Sequence, residues 1–226
     1  MTRLDLDRIR GPVLVVAPHP DDESIGCGGL IAGLRRRGVA VQIVVMTDGT
    51  GSHPGSPRYP APQLAALREA EAREAVSILN VEPRALSFWR LGDRYVPTEG
   101  ADFDRAVERA RAELQTLAPA LVVIPGPTDA HGDHRASWAI WTRAAGTLPQ
   151  PPRRLTYIVW PGPEHPGGAE VTLDIAAVLP LKRRAIAAHR SQHGLVIDDD
   201  PGGFTLPADL LARTERSVET YFEAVP

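Results

Sequence analysis

Residues 13–38 read VLVVAPHPDDESIGCGGLIAGLRRRG and contain the elements that decide the fold. The apolar, β-branched run Val13–Ala17 predicts a buried strand. The segment Ser24–Arg37 predicts a helix, which Gly38 ends. Val39–Met46 is again almost wholly apolar and predicts a second buried strand. A strand, a helix and a strand in this order predict a parallel βαβ unit.

The remainder of the chain repeats this alternation. Further strands are predicted at Ala85–Trp89, Ala120–Ile124, Leu155–Trp160 and Val171–Ile175. Further helices are predicted at Gln63–Leu79, Asp102–Leu117, Ser137–Ala145, Leu181–His189 and Ala208–Phe222. The pattern predicts an α/β fold with a Rossmann-like, three-layer, doubly wound arrangement around a mostly parallel sheet. We expect residues 1–226 to form a single domain, because no repeat or linker interrupts the alternation.

The composition is that of a globular protein of 226 residues, with 43% hydrophobic and 23% charged residues. A formal net charge of −3 gives no reason to expect nucleic acid or an anionic membrane as partner. Cys27 is the only cysteine, which excludes an internal disulfide and a cysteine-based zinc site. Because no apolar run has the length of a membrane span or a signal core, we expect a cytoplasmic protein.

A second polar motif, His131-Gly132-Asp133-His134, lies beyond the predicted strand Ala120–Ile124. It corresponds in position to Pro18–Glu23, which directly follows the strand Val13–Ala17. In doubly wound sheets, ligands bind beyond the carboxyl ends of the strands, where the strand order reverses. We therefore expect the imidazoles and carboxylates of the two motifs to meet at one edge of the sheet.

The two motifs carry donors for a hydrolytic metal. His19, Asp22 and His134 would supply two imidazoles and one carboxylate, which leaves one coordination position open for water. His19 and Asp22 are close enough in sequence to reach the same ion, and His134 would join them from the second motif. Zinc is the expected metal, although iron and cobalt accept the same donors.

The remaining polar residues of the motifs suit the reaction itself. Asp21 could take a proton from water that the metal has made acidic. His131 could donate a hydrogen bond or a proton to a developing oxyanion. Asp133 could fix the tautomer of His131 and favour its protonated form. Together these groups suit hydrolysis of an amide or an ester.

Simpler explanations exist for each motif alone. The acidic run Asp21–Glu23 could stabilise the dipole at a helix N-terminus, and a lone His-Gly pair often lies in an ordinary loop. Gly26-x-Gly28-Gly29 resembles part of a dinucleotide-binding loop, but the GxGxxG spacing is absent and the preceding acidic residues would repel a pyrophosphate. The occurrence of both polar motifs, each after a buried strand, favours the metal site.

The string PHPDDE followed by G-x-G-G, together with His131-x-Asp133-His134, resembles the LmbE / PIG-L family of zinc-dependent de-N-acetylases. The resemblance extends to Thr47-Asp48-Gly49, Arg68-x-x-Glu71 and His189-Arg-Ser-Gln192. It therefore covers most of the chain in order. Gly132 stands where many members of the family have proline, a departure that leaves the spacing of the ligands intact.

The resemblance implies a Rossmann-like fold with zinc held by His19, Asp22 and His134. It further implies that Asp21 is the general base and that His131 stabilises the oxyanion. The implied substrates are small molecules that contain N-acetylglucosamine, and the implied assembly is a homo-oligomer.

Three more residues lie at positions that the resemblance assigns to substrate binding. Arg68 opens a helix near the end of the second strand, Asp93 follows the third strand, and Asp48 lies in a Thr-Asp-Gly turn. Each has a structural alternative. Arg68 could form an i,i+3 pair with Glu71, and the two aspartates could be ordinary turn residues.

The predicted activity is removal of an acetyl group from an N-acetylated amino sugar or its conjugate. The nearest alternative is an amidase that acts on a larger N-acyl group or on a thiol conjugate. A non-catalytic carbohydrate-binding or metal-binding protein is less favoured, because binding alone requires neither Asp21 nor His131. A nucleotide-dependent transferase would bind a nucleotide in the absence of metal.

Overall fold

The computed structural model describes residues 2–165 and 167–224. The strands in these residues are β1 (Thr2–Arg3), β2 (Val13–Ala17), β3 (Val41–Thr47), β4 (Leu86–Leu91), β5 (Leu121–Pro125), β6 (Arg153–Tyr157), β7 (Glu170–Asp174) and β8 (Val218–Glu223). The helices are α1 (Asp22–Arg35), α2 (Ala61–Ile78), α3 (Gly100–Leu117), α4 (Gly132–Gly146), α5 (Leu179–Ala188) and α6 (Ala208–Thr214). In the described part of the chain, no helix combines the length and apolar character needed to span a bilayer.

The described strands form one mixed sheet in the order β1-β7-β8-β6-β5-β2-β3-β4. Its centre is parallel, since β2 pairs with β3 and β5, and β5 pairs with β6. β8 runs antiparallel to both β6 and β7. Val13 lies opposite Val41 on one side and Leu121 on the other, so β2 and β5 end at the same edge of the sheet.

Helices cover both faces of this sheet. Successive residues of a strand point to opposite faces. Val13 and Val15 of β2 accordingly pack in one core with α1, α2 and α5, whereas Leu14 and Val16 pack in a second core with α3 and α4. The predicted three-layer, doubly wound α/β fold is therefore confirmed.

The glycines of α1 allow the helix to approach its neighbours closely. A Cβ atom at Gly26 would lie 2.4 Å from the ring of Tyr157, and one at Gly29 would lie 2.5 Å from Ile175. Tyr157 is itself fixed, because its hydroxyl donates to the carbonyl oxygen of Val16 at 2.8 Å. Close packing thus accounts for the glycine motif that partly resembles a dinucleotide-binding loop.

The predicted helix Ala208–Phe222 is wrong in its second half. Helix α6 ends at Thr214, and the chain then forms strand β8. Glu219 and Tyr221 are buried while Val218 and Thr220 are exposed, which is the two-residue period of a strand.

The sequence does not reveal this two-residue period, because the charged residue Glu219 occupies one of the inward positions. The Glu219 carboxylate accepts hydrogen bonds from the backbone N–H groups of Gly29 and Leu30, at 2.7 and 2.8 Å. It also pairs with the ammonium group of Lys182 at 2.7 Å and accepts from the Tyr221 hydroxyl at 2.7 Å. Because these hydrogen bonds and the ion pair compensate the carboxylate for its loss of water, an acidic residue is stable in the interior.

Five helices, α1 to α5, begin earlier than predicted, and in α1 and α4 the difference affects the polar motifs. Helix α1 begins at Asp22 rather than Ser24, and α4 begins at Gly132 rather than Ser137. Asp22 and His134 therefore lie in the first turns of helices, where the backbone fixes their direction more firmly than a loop would.

The strand order reverses at β2. The chain passes from β2 through α1 to β3 on one side, whereas β5 lies on the other side. The loops that follow β2 and β5 consequently flank a crevice at the carboxyl edge of the sheet, where ligands bind in folds of this kind. Both polar motifs lie at this crevice.

Candidate active site

Asp21 lies in a strained turn between β2 and α1. Its φ angle is +136°, in a region that residues other than glycine rarely adopt. Its backbone N–H donates to Glu23 Oε2 at 3.0 Å, and Glu23 is held in turn by His189 Nε2 at 3.1 Å. Arg68 donates to the carbonyl oxygen of Pro20 at 2.5 Å and to Asp21 Oδ2 at 3.0 Å. A strained backbone conformation that surrounding hydrogen bonds hold in place is typical of functional sites.

Three donor atoms converge beside this turn. Asp22 Oδ2 lies 3.1 Å from His19 Nδ1 and 3.2 Å from His134 Nε2. Zinc bonds to such donors are about 2.0–2.2 Å long in a tetrahedral site, so neighbouring ligands are separated by distances of this order. Donor atoms of His19, His131 and His134 also lie within 4.8 Å of one another.

The second nitrogen of each imidazole faces a further carboxylate. His19 Nε2 lies 3.1 Å from Asp133 Oδ2 and 3.3 Å from Asp93 Oδ1. His134 Nδ1 lies 3.1 Å from Asp129 Oδ2. Histidines that bind a metal are usually oriented by a carboxylate or carbonyl on the nitrogen that does not touch the metal. The arrangement fits a cation between His19 Nδ1 and His134 Nε2.

The environment of His134 also fits a bound cation. The side chain is fully buried, and neither ring nitrogen makes an aligned hydrogen bond within the described residues. Burial disfavours the charged imidazole, yet the neighbouring Asp22 and Asp129 raise the pKa of His134 to about 9. Burial opposes the charged form of His19 too, but hydrogen bonds with Asp133 and Asp22 raise its pKa well above the usual value. The carboxylates therefore favour positive charge here, and the donor set suits a divalent transition metal.

The carboxyl group of Asp21 is suited to proton transfer near neutral pH. Burial raises its pKa to about 7, against the opposing charge of the Arg68 guanidinium. A catalytic acid or base works best when its pKa is close to the working pH. Arg68 is also fixed by donating to the carbonyl oxygen of Gly49 at 2.8 Å.

His131 is held as a neutral imidazole at the N-terminus of α4. Its Nδ1 accepts the backbone N–H of Asp133 at 3.2 Å, which places the ring proton on Nε2. Burial and the neighbouring His19 and His134 lower its pKa. The structure therefore differs from our expectation for Asp133: its backbone, not its carboxylate, fixes the tautomer of His131, and the neutral form is favoured.

The carboxylate of Asp133 has other partners. In addition to His19, it accepts hydrogen bonds from the backbone N–H groups of Arg94 at 2.7 Å and Val96 at 3.3 Å. These bonds connect the loop after β4 to the crevice. Asp133 thus supports His19 and the wall of the site.

A cavity of about 440 Å³ opens above these groups. Its lining includes most of the residues that the sequence analysis singled out, namely His19, Asp21, Asp22, Arg68, Asp93 and His131. Asp48 is not part of the lining formed by the described residues. Its carboxylate accepts from the backbone N–H groups of Thr50 at 3.0 Å and Asp93 at 3.3 Å, and so supports the loops beside the cavity.

Asp129 also belongs to the site, although its role was not predicted from the sequence. This carboxylate is 1% exposed and lies behind His134, as described above. It also accepts the backbone N–H groups of His131 at 3.0 Å, Val159 at 2.9 Å and Trp160 at 3.1 Å. The only hint in the sequence was that Asp129 lies two residues before His131. Its partners Val159 and Trp160, which follow β6, become its neighbours only in the folded chain.

The chain matches the family described as PIG-L, GlcNAc-PI de-N-acetylase, over residues 14–145. It is 32% identical over 186 residues to a probable N-acetyl-alpha-D-glucosaminyl L-malate deacetylase 2 of Bacillus anthracis, an alignment that covers 80% of each chain. It is 30% identical over 204 residues to the diacetylchitobiose deacetylase of Thermococcus kodakarensis, covering 80% of this chain and 69% of the relative.

A solved structure shows the same fold. The N,N'-diacetylchitobiose deacetylase of Pyrococcus horikoshii superimposes with a TM-score of 0.72 at 23% identity, over 93% of this chain and 82% of that protein. The family match covers both polar motifs and the strands that precede them. The chain therefore belongs to the PIG-L family of de-N-acetylases.

Proposed function

We propose that this chain is a zinc-dependent hydrolase that removes the acetyl group from an N-acetylated amino sugar or its conjugate. The observation that carries the proposal is the convergence of a His–Asp–His donor set with the buried carboxyl of Asp21 and the imidazole of His131. His19, Asp22, Asp21 and His131 line one cavity, and the buried His134 contacts Asp22 from behind it. The relatives support the substrate class, since they are named for deacetylating a glucosaminyl malate and diacetylchitobiose.

His19, Asp22 and His134 are the proposed metal ligands. The carboxylates behind the two imidazoles would orient the rings and make them better ligands. When bound, zinc supplies Lewis acidity, which polarises a carbonyl oxygen and increases the acidity of water.

Asp21 and His131 would carry out the proton and charge chemistry. Asp21 takes a proton from the attacking water as the water oxygen bonds to the acyl carbon. The C–N bond then breaks, and Asp21 returns the proton to the departing amine, so the products are acetate and a free amine. His131 donates its Nε2–H to the carbonyl oxygen as negative charge develops there.

Asp93 is the proposed partner of sugar hydroxyls. Burial disfavours the charged form of Asp93, but its hydrogen bonds with His19 and with the backbone N–H of Gly51 lower its pKa to about 2. The carboxylate therefore stays ionised and accepts hydrogen bonds. Arg68 also lines the cavity, but its guanidinium already donates to Gly49, Pro20 and Asp21. We propose that Arg68 chiefly positions Asp21 and that Asp48 supports the substrate-binding loops.

Zinc-loaded enzyme is expected to release free amine from at least one member of a panel of N-acetylated sugars. The panel contains N-acetylglucosamine, diacetylchitobiose, N-acetylglucosaminyl malate and N-acetylglucosaminyl inositol, and amine is quantified by a fluorogenic reagent. The Asp21→Asn variant, assayed in parallel, is the inactive control. Stoichiometric zinc without amine release from any of these sugars would contradict deacetylation of this substrate class.

Asp129→Asn is expected to weaken zinc binding by about 10–100-fold, because the variant removes the carboxylate that faces His134 Nδ1. Zinc affinity is measured by competition with a chromogenic chelator, independently of turnover. Asp104→Asn on the exposed surface of α3 is the control and should bind zinc like the parent. If Asp129→Asn lowers the melting temperature but leaves zinc affinity unchanged, Asp129 supports only the backbone of the loops.

A further inference from the structure

The peptide group between Pro20 and Asp21 is held at both of its polar ends. Its carbonyl oxygen accepts a hydrogen bond from the Arg68 guanidinium at 2.5 Å, and its N–H donates to Glu23 Oε2 at 3.0 Å. A peptide group is a rigid plane, so bonds at its two ends fix its rotation about the N–Cα bond of Asp21. That rotation is the φ angle, which is held at +136°, outside the regions that aspartate usually adopts.

The φ angle of Asp21 determines the direction of its carboxyl group. Strand β2 ends at Ala17 and helix α1 begins at Asp22, so the chain is anchored on both sides of this residue. A relaxed φ angle would therefore redirect the Asp21 side chain relative to the proposed ligand that follows it. A displacement of about 1 Å in a reacting group can lower a rate by about 100-fold.

Glu23 can hold the N–H of Asp21 because its own carboxylate is held from the other side. The side chain is fully buried, and its Oε1 accepts from the Ser24 hydroxyl at 2.7 Å and from His189 Nε2 at 3.1 Å. The other ring nitrogen of His189 has no hydrogen-bond partner among the described residues, so the polar contact of this ring there is with Glu23. A buried carboxylate stays in place only while its hydrogen-bond donors are present.

His189 is positioned from helix α2. It directly follows the last residue of α5 and is fully buried. Two residues later, Ser191 donates from its backbone N–H and from its hydroxyl to the Glu71 carboxylate, at 2.8 and 2.6 Å. Arg68 lies one helical turn before Glu71, so the same helix supports both ends of the Pro20–Asp21 peptide group.

We propose that His189 is a positioning residue for the reaction: by donating to Glu23, it holds the peptide group that directs the Asp21 carboxyl toward the attacking water. The inference rests on the proposed function, because it concerns the orientation of the proposed base. His189 is not part of the cavity lining formed by the described residues, so it acts through Glu23 and not on the substrate.

The test begins with His189→Leu, which removes the donor and keeps a side chain of similar volume. With the sugar that gives the highest turnover in the amine-release panel, kcat is expected to fall by about 10–100-fold. KM, and zinc affinity from chelator competition, should stay within about threefold of the parent values. His193→Leu is the matched control and should keep the parent kcat, because His193 lies in the same segment and its Nε2 contacts the carbonyl oxygen of Ile186, at 3.1 Å.

Two further variants test the hydrogen bond itself. His189→Gln should keep kcat within about threefold of the parent, because the amide nitrogen of glutamine can take the place of Nε2 and donate to Glu23. His189→Asn is one methylene shorter and cannot reach Glu23, so it should lose as much as His189→Leu. The asparagine variant replaces the leucine variant if the latter does not fold.

A double variant identifies the residue through which the effect passes. Residues that act as one unit have non-additive effects, so adding His189→Leu should change the residual turnover of Asp21→Asn by less than about threefold. A further loss of about 10–100-fold in that background would overturn the inference, because His189 would then act independently of Asp21.

The other outcomes separate this inference from the proposed function. Parent-like kcat in His189→Leu or His189→Asn, with an active parent, overturns the positioning role and leaves deacetylation standing. The role is also overturned if His189→Gln loses as much activity as His189→Leu, or if zinc affinity falls in proportion to kcat, because Glu23 would then support the metal ligands. Absence of amine release by the parent contradicts the proposed function, and this inference falls with it.

Discussion

Asp21→Asn is expected to lower kcat by about 10²–10⁴-fold, the range that removal of a general acid–base group typically produces. The reason is the loss of the buried carboxyl whose pKa lies near 7 and which takes and returns the proton of the attacking water in the proposed mechanism. Zinc affinity should stay within about threefold of the parent value, because Asp21 is not one of the proposed ligands. Steady-state amine release and chelator competition measure the two quantities.

Asparagine is the appropriate replacement for structural reasons. It adopts positive φ angles about as readily as aspartate, so the turn at +136° can be kept. Its side-chain oxygen can also accept the hydrogen bond that Arg68 donates at 3.0 Å. Asp104→Asn on the surface of α3 controls for the loss of one negative charge. Full activity in Asp21→Asn would exclude Asp21 as the base, and loss of zinc would show that it supports the ligands instead.

The central part of the fold could be predicted because local patterns agree with it. Val13–Ala17 and Ala120–Ile124 are apolar on both faces, as strands between two helical layers must be. Their adjacency follows from the rules of doubly wound sheets, and it brings the two polar motifs to one crevice. The meeting of His19 with His131 and His134 therefore needed no information beyond the order of the elements.

The remainder depends on contacts between residues distant in sequence. Glu219 occupies an inward strand position only because Lys182 and the backbone of α1 satisfy its carboxylate. Asp129 reaches its partners only when β5 and β6 lie side by side. Neither contact leaves a periodic signal in the sequence, so β8 was predicted as helix and Asp129 was overlooked.

Asp133 shows a third kind of limit, which concerns direction rather than proximity. The sequence places it between His131 and His134, and we expected its side chain to fix the tautomer of His131 and favour the protonated form. The start of α4 at Gly132 turns its backbone N–H toward His131 Nδ1 and its carboxylate toward His19 Nε2. Spacing alone does not distinguish these two contacts, because they depend on where the helix begins.

His134→Ala is expected to abolish high-affinity zinc binding and, with it, turnover. The variant removes one of three proposed ligands and leaves the buried carboxylates of Asp22 and Asp129 facing a space without a cation. A ligand that binds only the folded state stabilises it by about 2.7 kcal/mol at 100 times its Kd, which for a chain of this size raises the melting temperature by roughly 5–10 °C. Zinc should therefore raise the melting temperature of the parent and leave that of His134→Ala unchanged.

The comparison separates loss of the site from general damage to the fold. His165→Ala, which removes an exposed histidine, should retain both the zinc-induced shift and the parent turnover. His134→Ala without zinc should still unfold cooperatively, since the cores on the two faces of the sheet do not include this residue. A parent-like thermal shift in His134→Ala would place the metal elsewhere. The second group of donors, formed by His19, Asp93 and Asp133, would then be the next site to test.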